Sequence, residues 1–171
     1  VDSESDKKLL STQDLAQLIA FSYSLDTSES TQSALLSWIS QNQPGVVTLF
    51  GSQISTSSAR FAVNRISADF NNKLQPLVAV DHEGGSVQRL AGVGFTDLPS
   101  WKSICVASST QRQNLLEASA REISQVGVEL VFAPMIDIAS QSAVLKDRVC
   151  SSDPEIVKVR AAEFIDTFAQ Q

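Results

Sequence analysis

The residues best equipped for chemistry cluster around one glycine pair. Asp81, His82 and Glu83 precede Gly84-Gly85, and Gln88-Arg89 follow within a few positions. Carboxylates accept hydrogen bonds or exchange protons, while arginine presents a rigid planar fork of donors. Adjacent glycines permit backbone angles and close approaches that a Cβ would block. Further charged groups stand at Asp137 and at Asp147-Arg148. Together these side chains offer both acceptors and donors to a polar ligand. On spacing alone, a plainer reading stays open: Asp81 caps the next segment and Arg89 is a solvated surface cation. Asp147 is expected to orient Arg148 through a salt bridge. Asp137 is either part of the site or a loop cap, and Glu83 is a hydrogen-bond partner within its loop rather than a catalytic acid. His82 is the only histidine. One imidazole without a second set of ligands is not a metal site, and neither metal nor cofactor is expected.

These groups need elements that bring them together. Leu77–Val80 is a continuous apolar run, as in a strand buried on both faces of a parallel sheet, and Asp81 is expected to end it. Val46–Phe50 (VVTLF) is a second such strand, residues 128–133 a third, and residues 20–25 the first in the chain. Helical periodicity predicts helices over residues 32–41, 55–72, 111–125 and 156–170. Trp38, beside the apolar face of the first of these helices, is expected to pack. Ser11-Thr12, Ser108-Ser109-Thr110 and Ser152-Asp153-Pro154 are helix starts with capping residues. Residues 139–150 look loop-like. Strands alternating with helices argue for parallel βαβ units, whose sites gather at the C-terminal ends of the strands.

Composition narrows the function classes. The chain has 171 residues, 43% hydrophobic and 19% charged, with a formal net charge of −6. An acidic balance argues against nucleic acid or an anionic membrane as partner. No apolar run approaches the roughly 20 residues of a membrane span. Residues 1–8 are largely polar, and residues 1–9 are expected to be disordered or a linker start, with residues 10–171 forming one domain. No GxGxxG or GxxxxGK[ST] spacing occurs, which excludes the usual phosphate cradles. Cys105 and Cys150 are expected to be buried free thiols, with a disulfide as the alternative in an exported protein.

The segment VDHEGGSVQRL, followed by GFTDLPS, resembles the signature of glycoside hydrolase family 3, in particular its single-domain β-N-acetylhexosaminidase branch. There the pattern reads VD-x-EGG-R-VQR and then GFT-x-LP. Two later blocks, VELVFAPMIDI and KDRVCSSDPE, resemble the branch in the same order, the second matching GDRSFG-x-DPE. Ser86 stands where the family has Arg, Lys146 where it has Gly, and Val149-Cys150 where it has Ser-Phe. The resemblance implies an α/β fold, the N-terminal half of a (β/α)8 barrel with about four βα units. It implies Asp81, Arg89 and Arg148 as sugar-binding residues, a carbohydrate substrate, and retaining hydrolysis of terminal β-linked N-acetylglucosamine. The family's nucleophile, an Asp, and its acid/base, a His, lie downstream of a KHFPG-like block that is not in these 171 residues. No catalytic residue is therefore expected within this chain. The alternative is a non-catalytic half-barrel that binds sugar or associates with itself or a partner.

Overall fold

The computed structural model describes residues 10–68, 70, 74–138 and 145–171. The expectation for residues 1–9 lies outside this range. The elements run α1 (Thr12–Ala16), β1 (Ala20–Ser24), α2 (Glu29–Asn42), β2 (Val46–Phe50), α3 (Thr56–Ala68), β3 (Leu77–Gly84), β4 (Val87–Gln88), α4 (Trp101–Val106), α5 (Ser109–Gln125), β5 (Leu130–Phe132), a 3-10 turn (Lys146–Arg148) and α6 (Pro154–Ala169). β1, β2, β3 and β5 form a parallel sheet in that order. β4 pairs antiparallel with the far end of β3. The expected succession of βα units is present.

Local chemistry sets the helix starts. Ser11 and Ser108 each complete a capping box, with Asp14 and Gln111 as the reciprocal partners. Asp153 caps α6 ahead of Pro154, where a missing N–H costs nothing. α2 begins earlier than its apolar spacing implies, because Ser28 accepts from the Thr31 amide and starts the helix ahead of its apolar stripe. α3 ends at Ala68, short of the predicted residue 72; residues 69 and 71–73 lie outside the described range.

Alternation along the strands divides the sheet into two faces. Tyr23, Val47, Leu49, Val78 and Val80 join Leu36, Ile39, Ala62, Ile66 and Ile123 of the helices in one buried cluster. Trp38 packs as expected, stacking on Phe21 with ring centroids 4.0 Å apart. On the other face, Ser22, Thr48, Ala79 and Leu130 stand level across the four strands. The next outward row holds Ser24 beside Phe50 and Asp81 beside Phe132. A second cluster, with Leu98, Trp101, Ile104, Leu116, Val157 and Phe164, lies between α4, α5 and α6.

Two expectations are corrected here. Asp81 does not end its strand. β3 continues to Gly84, because His82 and Gly84 exchange the parallel ladder for antiparallel pairing with Gln88 and Val87. Cys105 and Cys150 are not free thiols. Their Cα atoms stand 5.5 Å apart and the sulfurs are bonded.

The glycine pair makes the hairpin feasible. Gly84 has φ +92° and Gly85 φ +56°, both in the region that L side chains avoid. A Cβ on Gly84 would strike the Pro99 carbonyl oxygen, and one on Gly85 would crowd the Ser100 backbone. Gly84→Ala should therefore combine backbone strain with overpacking and cost about 2–4 kcal/mol. Urea denaturation checks this through a lowered midpoint at unchanged slope.

Candidate functional site

Asp81, Glu83, Arg89 and Arg148 come together at the C-terminal end of β3. Asp81 and Glu83 share one face of that strand by alternation, whereas His82 points the other way, into the helices. The β3–β4 turn reverses the chain so that the Arg89 amide donates to the Asp81 carbonyl at 3.2 Å. The Arg89 Nε then lies 3.7 Å from Asp81 Oδ2, within ion-pair range but beyond a hydrogen bond, and this buried Nε makes no hydrogen bond. Its guanidinium carbon sits 5.5 Å from the centre of the Phe50 ring at the end of β2. That cation–π contact helps hold the guanidinium, whose outer nitrogens make no hydrogen bond among the described residues.

Arg148 reaches the same place from the 3-10 turn. Its Nε donates to Glu83 Oε2 at 2.8 Å and its Nη2 to Oε1 at 2.7 Å. Such a bidentate pair fixes both groups in one plane. Among the described residues, Nη1 makes no hydrogen bond. The hydrogen bond to Glu83 is the main force raising the Arg148 pKa. Partial burial opposes it, and the charges of Glu83, Asp81 and Asp137 assist. Asp137 is exposed, yet close enough to act on Arg148 electrostatically. Its loop is anchored by the Trp101 indole, which donates to the Met135 carbonyl at 3.0 Å.

The expected partner of Arg148 was wrong. The ion pair goes to Glu83, and Asp147 forms no ion pair among the described residues. β3 carries Glu83 to the mouth of the site on the same face as Asp81, so its carboxylate meets the guanidinium squarely. Sequence reasoning expected Glu83 to be a hydrogen-bond partner within its loop and did not see that its partner is Arg148. It also missed Phe50 and Glu122, and it read Gln88 only as a polar donor beside Arg89. Gln88 donates to the carbonyls of Leu90 (2.9 Å) and Thr96 (2.7 Å) and accepts from the Leu98 amide (2.9 Å). Glu122 of α5 accepts from the Thr96 amide at 2.6 Å and hydroxyl at 2.7 Å. Together they fasten the loop that follows Arg89. The position of Gln88 inside the VQR motif was the only sequence signal for any of these.

His82 is nearly fully buried, with Nε2 2.9 Å from the Ser119 hydroxyl and no partner for Nδ1. Burial lowers its pKa to about 4. It is a neutral core group. Among the described residues no cluster of histidine, cysteine or acidic side chains could hold a metal ion. No described helix is long and apolar enough to cross a membrane.

A parallel βα sheet carrying two arginines and their carboxylates at its strand ends defines a TIM-barrel-like domain with a polar cluster at the C-terminal end of its strands. The chain belongs to glycosyl hydrolase family 3: the profile of the family's N terminal domain matches residues 4–171. A Tolumonas auensis protein named beta-hexosaminidase is 36% identical over 129 residues, covering 74% of this chain and 38% of its own length. A Pseudomonas aeruginosa beta-hexosaminidase is 42% identical over 94 residues, or 52% of this chain and 27% of that protein. The crystal structure of a Beutenbergia cavernae beta-N-acetylhexosaminidase superposes with a TM-score of 0.80 at 25% identity, covering 94% of this chain and 51% of that one. The chain thus spans well under two thirds of the relatives it matches.

Two outcomes test this geometry. Glu83→Gln removes the charge that holds Arg148 and should cost about 1.5–3 kcal/mol of stability, as for a hydrogen bond to a charged group. Arg148→Lys should fail to restore the planar pair; chemical denaturation of each variant reads both. His82 is folded in its neutral form, so its folded pKa lies below the unfolded value of 6.5. Its contribution is complete above pH 6.5 and is lost as pH falls toward about 4. Between pH 6.5 and 5 the protein should lose about 2 kcal/mol through this group, and His82→Gln should flatten that slope in denaturation midpoints.

Proposed function

We propose that this chain supplies the sugar-binding half of a β-N-acetylhexosaminidase-type glycoside hydrolase. One observation carries the reading: the three residues that the family signature singles out, Asp81, Arg89 and Arg148, converge at one strand end from separate segments. The relatives named beta-hexosaminidase support the same substrate class. In this reading the Asp81 carboxylate accepts from hydroxyls of the terminal N-acetylglucosamine. Arg148 Nη1 and the outer nitrogens of Arg89 donate to ring hydroxyls or to the acetamido oxygen. A sugar oxygen between Asp81 and Arg89 would satisfy the buried Nε and the carboxylate together.

Retaining hydrolysis needs a carboxylate nucleophile and a separate acid/base. No residue of this chain is proposed for either role. His82 is unsuited to proton transfer here, being buried on the helix side of β3 with its pKa near 4. Asp81 and Glu83 are engaged with the two arginines. The proposal is therefore binding and orientation by this chain, with the covalent chemistry supplied by further segments of the enzyme. A non-catalytic, self-associating half-barrel is the second reading. Leu77 and Phe132 favour it, being 45% and 43% exposed, and so do the exposed Ile136 and Ile138 after β5.

Titration of the 171-residue protein with N-acetylglucosamine, followed by NMR, should give saturable binding that glucose matches only weakly and Arg148→Ala weakens about tenfold. The same protein should show no turnover of an aryl β-N-acetylglucosaminide; saturable hydrolysis by the purified chain would falsify the division of labour. In an enzyme that contains this chain and the remaining segments, Arg148→Ala should cost about 2–4 kcal/mol in kcat/KM. Sedimentation showing a stable dimer without sugar binding would favour the second reading.

A further inference from the structure

Arg148 differs from the other site residues in its support. Asp81 and Glu83 belong to β3, whereas Arg148 ends a three-residue 3-10 turn. So short a turn has little hydrogen bonding of its own to fix a side chain to the precision a binding site requires. Two residues further on, Cys150 is bonded to Cys105 of α4. The two cysteines are 5% and 4% exposed and sit in the cluster around Trp101 and Phe164.

The far end of that bond is itself held. Arg160 of α6 donates to the Cys105 carbonyl at 3.2 Å. Arg112 of α5 donates to the Ala107 carbonyl, at the end of α4, at 2.7 Å. Both guanidiniums meet on Glu163. Burial works to raise the Glu163 pKa, but the hydrogen bonds and charges of Arg112 and Arg160 outweigh it and hold the carboxyl below its ordinary value. A continuous path of bonds therefore runs from the two long helices through α4 and the disulfide to the turn, and from Arg148 to Glu83.

We infer that the Cys105–Cys150 disulfide is a positioning element of the sugar site, holding the 3-10 turn so that Arg148 keeps one edge on Glu83 and offers Nη1 to the ligand. Cys105 and Cys150 act only through Arg148. This deepens the sugar-binding reading above and rests on it.

The test compares the parent with Cys105→Ser/Cys150→Ser at a temperature where near-UV circular dichroism shows both folded. N-acetylglucosamine is the probe. Affinity should fall about tenfold in the variant, and Arg148→Ala should cost about tenfold in the parent but under about threefold once the bond is absent, because coupled residues are non-additive. Unchanged affinity, or the full Arg148→Ala cost without the disulfide, overturns the inference. A second arm needs no sugar: the Arg148 Nε–H resonance should exchange slowly in the parent and broaden away in the variant. Equal exchange in both overturns the inference. If the parent binds no sugar, the sugar-binding reading fails while the resonance still decides whether the bond positions Arg148. If the serine variant does not fold, Cys105→Ala/Cys150→Val refills the core without the bond and is read by the same two arms.

Discussion

A guanidinium that must serve a ligand has to be held without being used up. The Arg148–Glu83 pair meets this requirement. Two nitrogens on one edge bind the carboxylate at 2.8 and 2.7 Å, and the third makes no hydrogen bond among the described residues. The pair works because β3 outruns its parallel neighbours. Had the strand stopped at Asp81, Glu83 would lie in a loop and its carboxylate would have no fixed direction. The antiparallel β4, the positive φ of Gly84 and Gly85, and the close approach of Pro99 and Ser100 all serve that extension. A partly buried charged pair is costly to desolvate and costly to break, so it specifies an arrangement more than it adds stability.

Arg89 shows a different solution to the same problem. It has a ring beneath it, a carboxylate slightly too distant for a hydrogen bond, and a backbone bond that fixes its Cα. The surrounding loop is tied by Gln88 within the hairpin and by Glu122 from outside. One arginine is thus locked by a partner and the other by its plane. In the proposed site, two differently held donors near Asp81 would read a ligand's direction as well as its charge.

Much of this was legible in the sequence. The apolar runs at Val46–Phe50 and Leu77–Val80 identified buried parallel strands, and the capping residues Ser108 and Asp153 marked helix starts to within a residue or two. Strand-end logic and the family signature together pointed to Asp81, Arg89 and Arg148. The partner of Arg148 was not legible. Asp147 is its sequence neighbour, but adjacent residues on a tight turn diverge, while Glu83 arrives across 65 positions by way of the sheet. The continuation of β3 was hidden because His82 and Glu83 look like loop residues, and only antiparallel pairing turns them into strand. The disulfide was hidden because two distant cysteines carry no signal about their separation in space.

That bond also acts where no structure exists. It closes a loop with a sequence separation of 45 that contains the whole of α5 and β5. In the denatured ensemble the ends of this stretch cannot drift apart, and chain statistics assign such a restriction about 4 kcal/mol at 25 °C. Single domains are stable by only about 5–15 kcal/mol in total. The cross-link therefore lowers the entropy of the unfolded chain by a sizeable part of the folding margin, so an agent that reduced it would loosen the domain as a whole as well as the turn beside Arg148.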